Sequence, residues 1–248
     1  MRNTHFQFKQ FALLQDKAAM KLGTDSVLLG CFTKVSKAEC ILDIGTGTGI
    51  LALMMAQKSN ALIDAVEIDQ EAFKQAAQNA IESPWHDRVK IHHTAIQNFQ
   101  ALKKYDIIIS NPPYYRNAKN MGIEDEKRAL ARHDKDLPFE DLCKEAYRLM
   151  KEDALFWLIL PHKEGLEFIQ IAKQHSLLLH HSINIKPKPE KEVNRLILAF
   201  GKSNKTYTEI SFTIYQSDGN ATAEYVDLTK DFYLWKDRIG QVNFIETK

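Results

Sequence analysis

The tetrapeptide Asn111-Pro112-Pro113-Tyr114 follows directly on the apolar run Asp106-Ile107-Ile108-Ile109-Ser110. Two consecutive prolines fix φ and push the residue before each toward extended backbone, so Asn111 and Pro112 are held rigid where a strand ends. Rigidity there suits a site that must hold a weak nucleophile still. An exocyclic amine on an aromatic ring is such a nucleophile: its lone pair is delocalised into the ring, and both of its hydrogens need acceptors. The Asn111 side-chain oxygen and a neighbouring backbone carbonyl are acceptors of the right type, and the Tyr114 ring offers a face on which a planar group stacks. The plain alternative is a proline-rich turn that ends a strand.

A second constellation lies upstream. Ile41-Leu42-Asp43-Ile44-Gly45-Thr46-Gly47-Thr48-Gly49 reads as a buried strand running into a glycine loop that opens a helix. Gly45, Gly47 and Gly49 let backbone approach a ligand closely, and the helix start presents free N–H groups and the positive end of a dipole. Glu67 closes the next strand about 20 residues on, the spacing of a carboxylate that grips ribose hydroxyls. Gly47-x-Gly49-x-x-Ala52 also meets a loose dinucleotide fingerprint, so a nicotinamide enzyme enters consideration. Asp43 favours a different ligand. Two residues before the first glycine, an acid attracts a cationic amino group and sulfonium and repels a pyrophosphate. Asp43 as a turn cap and Glu67 as a solvated strand-end acid are the structural readings of the same residues.

The elements that must position these residues alternate from Cys40 onward as βαβ units of a parallel sheet. Strands are predicted at Cys40 to Ile44, Leu62 to Ile68, Val89 to His93, Tyr105 to Ser110 and Ala154 to Leu160. Helices are predicted at Ile50 to Lys58, Gln70 to Glu82, Phe139 to Met150 and Glu164 to His175, with apolar residues at helical spacing that mark core faces. The runs Leu177 to Ile185 and Val193 to Phe200 flank a charged, proline-rich loop, Lys186 to Glu192. Ile210 to Tyr215 alternates and meets the turn signal Ser217-Asp218-Gly219-Asn220, which predicts a further strand ending in a hairpin.

The chain has 248 residues, 44% hydrophobic and 26% charged, ordinary values that allow a sizeable core and argue against disorder. Cys31, Cys40 and Cys143 are odd in number and far apart, which argues against disulfides and structural zinc and fits a reducing cytoplasm. No stretch approaches the roughly 18 apolar residues of a membrane span. A cytoplasmic protein without membrane or metal is expected.

With Asp43 to Gly49, Glu67 and Asn111 to Tyr114 in this order, the chain resembles the class I S-adenosylmethionine-dependent methyltransferases that modify amino nitrogens. The resemblance narrows. Phe8 to Phe11, Gln15 to Gly30 with its Thr24-Asp25, Ser83-Pro84-Trp85, Ala131-Arg132-His133 and the Lys186-to-Arg195 stretch are similar to the bacterial tRNA1(Val) (adenine-37-N6)-methyltransferase family. It implies an α/β fold: a Rossmann-like, mostly parallel seven-stranded sheet with helices on both faces and an antiparallel last strand. One domain is expected over residues 1–248, with 1–38 as a covering segment, 39–201 as catalytic core and 202–248 as an extension, and a monomer is expected. It implies S-adenosylmethionine held by Thr24, Asp25, Asp43, Gly45, Gly47, Gly49, Glu67, Ile68, Ala95, Ile96 and Asn111. Adenine N6 would be held by Asn111 and the Pro112 carbonyl, with Tyr114 stacked on a flipped base. Flipping costs little in an anticodon loop, which is already single-stranded. One departure stands out: related enzymes often carry an acid after the third strand for the cofactor's adenine amino group, and this chain has Ala95.

Net charge of +1 hides the distribution. Arg2, Lys9, Lys17 and Lys21 precede the core, Arg116, Lys119, Lys127, Arg128, Arg132 and Lys135 follow the tetrapeptide beside Tyr115, and Lys186, Lys188, Lys191 and Arg195 sit in or beside the late loop. These three regions are the expected tRNA phosphate contacts; as isolated residues they read equally as solvated surface. The competing readings are an N5-glutamine methyltransferase acting on a translation factor, a non-catalytic RNA-binding protein of the same fold, and a nicotinamide oxidoreductase. Only about 38 residues precede the first core strand, against a longer helical N-terminal domain in the glutamine enzymes.

Overall fold

The computed structural model describes residues 5–16, 22–113, 137–236 and 241–242. Tyr114, Tyr115, Arg116, Lys119 and Arg132 lie outside the described residues. In chain order, β1 (His5–Gln7) pairs antiparallel with β2 (Ala12–Leu14), and α1 (Thr24–Phe32) leads into the core. There follow β3 (Cys40–Ile44), α2 (Ile50–Lys58), β4 (Leu62–Glu67), α3 (Gln70–Glu82), β5 (Val89–His93) and β6 (Tyr105–Ser110). The second half holds α4 (Phe139–Leu149), β7 (Met150–Pro161), α5 (His162–Gln174), β8 (Leu178–Lys186), β9 (Arg195–Gly201), β10 (Thr208–Thr213) and α6 (Ala223–Thr229). A short antiparallel pair, β11 (Trp235–Lys236) with β12 (Gln241–Val242), closes the described chain.

The main sheet runs β10-β8-β9-β7-β6-β3-β4-β5. Strands β5, β4, β3, β6 and β7 are mutually parallel, and β9 is antiparallel to both β7 and β8. These and β8 are the seven expected strands, with the late antiparallel strand inserted between its neighbours. An eighth, β10, adds in parallel to the edge at β8, and it comes from the C-terminal extension. The turn after it closes on a single antiparallel bridge, Tyr215 to Ala221, in place of a two-stranded hairpin.

Strands buried on both faces read as unbroken apolar runs, and β6 is such a strand. Ile107 and Ile109 face one layer, with Val27, Leu28 and Leu29 of α1 and Leu51 to Met55 of α2. Ile108 faces the other, with Phe139 and Leu142 of α4 and Phe168 of α5. Each such side chain contributes roughly 1.5–3 kcal/mol by leaving water, so the strand ends are fixed by what lies behind them.

The start of β7 differs from expectation by several residues, for a physical reason. β7 begins at Met150, not Ala154, because Met150 pairs with Tyr105 and the ladder resumes at Ile107–Leu155 after a register shift; the polar Lys151-Glu152-Asp153 hides that start from a hydrophobicity reading. The N-cap of helix α1 is Gly23, with no side-chain cap, which leaves Thr24 and Asp25 inside the first turn and free for other partners.

Candidate active site

The chain leaves β3 toward β4 on one side and β6 lies on the other, so the crevice beyond the carboxyl ends of β3 and β6 is the topological switch point where ligands of open α/β sheets bind. Both sequence motifs emerge there. The glycine loop follows β3, Glu67 ends β4, and Asn111 follows β6.

In the loop, Gly45, Gly47 and Gly49 have φ of 70°, 58° and 86°, backbone that side-chain-bearing residues rarely adopt. Two carboxylates hold its shape. Asp43 is fully buried, and its Oδ2 accepts the Thr46 hydroxyl at 2.5 Å and the Ala52 N–H at 3.1 Å. Its Oδ1 has no hydrogen-bond partner among the described residues. Burial pushes the Asp43 carboxyl up to about 7, against the pull of those two hydrogen bonds and with the Glu67 charge adding to the rise. Asp43 is therefore the turn cap that one reading anticipated, with one oxygen left over.

Glu67 is not a solvated acid. It is buried, its Oε2 accepts the Gly47 N–H at 2.8 Å, and its Oε1 accepts the Asp69 N–H at 2.9 Å. Each carboxylate oxygen has a second lone pair, so clamping the loop does not exhaust its capacity for hydroxyl donors. Ile68 beside it is 44% exposed, open to a ligand. Its carbonyl lies 3.1 Å from His93 Nε2, and the His93 ring stacks on Phe73 at 5.0 Å. Ala95 caps a 3-10 turn, Ile96–Asn98, and Ile96 is buried in the layer of Ile44, Val66 and Ile108. Ile96, expected at the cofactor, is thus a core side chain.

At the end of β6, the Ser110 hydroxyl donates to the Ile44 carbonyl at 2.8 Å, tying the two motif-bearing strand ends together. Asn111 Nδ2 donates to the Ser26 hydroxyl oxygen at 2.9 Å, while Asn111 Oδ1 is buried with no partner among the described residues. Pro112 is buried and Pro113 exposed. Asp25 Oδ2 accepts Arg195 Nε–H at 2.8 Å, so Arg195, expected on tRNA phosphates, ties the start of β9 to α1. The start of β9 pairs with the last residue of β7, which puts the Lys186-to-Asn194 loop on the same rim as Asn111. Lys186 is partly exposed, and Lys188 donates to the Ser217 carbonyl at 3.1 Å.

One positioning residue escaped the sequence reading. Asn79 of α3 is buried; its Nδ2 donates to the carbonyls of Thr48, at 2.8 Å, and Leu14, at 2.9 Å, and its Oδ1 accepts the Leu14 N–H at 2.9 Å. It joins the N-terminal hairpin to the glycine loop. The signal was present: Asn79 continues the stripe of Ala72 and Ala76, and an amide on an apolar face needs partners.

Residues 17–132 match the family model described as methyltransferase small domain. A tRNA1(Val) (adenine(37)-N6)-methyltransferase of Flavobacterium johnsoniae is 43% identical over 92% of this chain and 99% of its own. One from Photorhabdus laumondii is 41% identical over 95% of this chain and 97% of its own. The chain belongs to the tRNA1(Val) (adenine(37)-N6)-methyltransferase family. A solved structure described as a predicted O-methyltransferase of Agrobacterium tumefaciens superposes with TM-score 0.65 at 19% identity, over 90% of this chain and 100% of that one. The ribosomal protein L11 methylase of Lactobacillus delbrueckii subsp. bulgaricus gives 0.56 at 17%, over 77% and 84%. At those identities the likeness is one of fold, that of the class I methyltransferases, and this family builds its tRNA-modifying members on it.

The family's cofactor is S-adenosylmethionine, and the rim fits it. A buried carboxylate oxygen without a partner and a second acid stand beside a loop with open space next to Gly45 and Gly47, an arrangement that a cationic amino acid relieves.

Proposed function

We propose that this chain methylates N6 of an adenine in tRNA, adenine 37 of tRNA1(Val), using S-adenosylmethionine, as a single-domain cytoplasmic monomer. The observation that carries the reading is the buried Oδ1 of Asn111, without a partner among the described residues, at the switch point of a chain in this family. Such an oxygen costs free energy until a donor reaches it.

When bound, S-adenosylmethionine supplies an electrophilic methyl group on a sulfonium. Asp43, Glu67 and the N–H groups of the glycine loop would hold its polar groups, with Thr24, Asp25 and Ile68 around it. Asn111 Oδ1 and the Pro112 carbonyl accept the two hydrogens of the adenine amine, which fixes the plane of the base and turns the nitrogen toward the methyl group, so that the new N–C bond would form as the C–S bond breaks and its electron pair stays on sulfur as a neutral thioether. Tyr114 stacks on the flipped ring. Alkylation makes the remaining extra proton acidic, and it leaves to water without a strong base. Lys186 and Lys188 on the rim, with Arg116, Lys119 and Arg132 in the segment that follows Tyr115, contact phosphates of the loop.

The test is transfer of labelled methyl from S-adenosylmethionine to total tRNA of a strain lacking the gene, followed by nucleoside analysis. N6-methyladenosine confined to one tRNA is the expected product. Label in a protein glutamine, or in no acceptor, rejects the reading.

A further inference from the structure

Asn111 is held by a residue that lies outside both the glycine loop and the Asn-Pro-Pro-Tyr segment. Ser26 lies in the first turn of α1, in the segment before the catalytic core, and it is buried. Its hydroxyl oxygen accepts a hydrogen bond from Asn111 Nδ2 at 2.9 Å.

Helix α1 gives Ser26 little freedom. At its start, Asp25 is paired with Arg195. Along its length, a side chain at Gly30 would come within 2.6 Å of the Met54 side chain, so α1 and α2 touch closely. At its end, the Lys58 ammonium donates to the carbonyls of Gly30, Cys31 and Thr33 at 2.8, 2.7 and 2.6 Å. Ser26 is thereby fixed relative to β6, though 85 residues separate it from Asn111.

We propose that Ser26 is a positioning residue that sets the Asn111 amide with its oxygen toward the substrate amine. This rests on the reading of Asn111 as the amine acceptor. An amide has two ends alike in size and opposite in polarity. Rotated by half a turn, it would satisfy its oxygen at Ser26, strand both Nδ2 hydrogens, and face a donor with a donor. In the observed orientation Ser26 takes one Nδ2 hydrogen, and the oxygen awaits the amine. Ser26 thus makes the productive orientation the one that substrate completes.

The experiment compares Ser26→Ala, Ser26→Thr, Asn111→Ala and the Ser26→Ala/Asn111→Ala double variant in methyl transfer to tRNA. Loss of the tether should lower kcat roughly tenfold to a hundredfold, the scale of a small misplacement, with KM for both substrates little changed. Ser26→Thr keeps the hydroxyl and should recover most of the rate. The double variant should be no slower than Asn111→Ala alone, because Ser26 acts only through that amide. Wild-type kcat in Ser26→Ala, or multiplicative loss in the double variant, overturns the proposal. The 15N–1H signals of the Asn111 side-chain amide test the tether without turnover. They should shift and exchange faster in Ser26→Ala, and unchanged signals overturn the proposal whatever the substrate. A wild-type chain that methylates no adenine rejects the functional reading alone, and if Ser26→Ala melts early, Ser26→Cys serves as the weak-acceptor variant.

Discussion

Asn111 and Asp43 each bring to the same rim a buried oxygen without a partner among the described residues, and each makes a separate prediction. Asn111→Ala removes an acceptor whose contact strengthens as the amine attacks the methyl group and gains positive charge. It should retain cofactor binding by calorimetry and lose roughly 10²- to 10³-fold in kcat, the cost of one positioned hydrogen bond at a reacting centre. Unimpaired turnover would remove Asn111 from the chemistry. Asp43 has its folded-state carboxyl raised from 3.8 to about 7. Between those values the folded chain binds more protons than the unfolded one, so stability falls as pH rises from about 4 to about 7. A cationic ligand favours the ionised form. Cofactor binding at pH 6 should therefore release a proton and be about tenfold weaker than at pH 8, where no proton is released. Binding heats that are the same in buffers of different ionisation enthalpy at pH 6 would reject that coupling. Both side chains were legible in the sequence by type and position. Their partners were not, because a hydrogen bond to Ser26 or a clamp on Ala52 depends on which helix packs behind the strand.

At the scale of elements, α1 is the piece whose placement matters most, and its own sequence explains its stability poorly. It has no side-chain N-cap and no basic residue in its last turn. The missing stabilisation comes from Lys58 of α2, whose ammonium satisfies three carbonyls at the end of α1. Lys58→Met keeps the aliphatic stem and removes those bonds. It should destabilise the chain by about 2 kcal/mol, the worth of a charged hydrogen bond, and lower Tm by several degrees in a thermal melt. A melt that coincides with wild type would show that water replaces Lys58 at no cost. The helices α2 and α3 and the strands β3, β5 and β6 begin and end where their periodicity and flanking glycines placed them. β7 did not, since pairing with β6 overrode the polarity of its first residues.

Across the whole molecule, the N-terminal hairpin meets the segment around α6. Phe6 and Phe8 of the N-terminal hairpin pack on Tyr233, Tyr225 packs on Phe212, Tyr233 and Trp235, and the Lys9 N–H donates to the Phe232 carbonyl. The extension thus closes the face of the sheet that carries α1 and α2. The opposite requirement, an open and charged rim, belongs to RNA binding. Affinity for the substrate tRNA should fall steeply as salt is raised, and Lys186→Ala with Lys188→Ala should flatten the slope of log affinity against log salt by about 1 to 2. An affinity that barely changes between low and moderate salt would remove the phosphate contacts from the reading.

The sequence by itself determined the elements that meet at the switch point: a strand, a glycine loop, an acid about 20 residues on and an amide before two prolines are local patterns, and local patterns survive without knowledge of packing. The tertiary structure alone decided that Glu67 clamps Gly47, that Arg195 belongs to Asp25 across 170 residues, that β10 extends the sheet, and that Ser26 holds Asn111. Those choices depend on which surfaces the hydrophobic layers bring together, and long-range juxtaposition leaves no periodic trace in the chain.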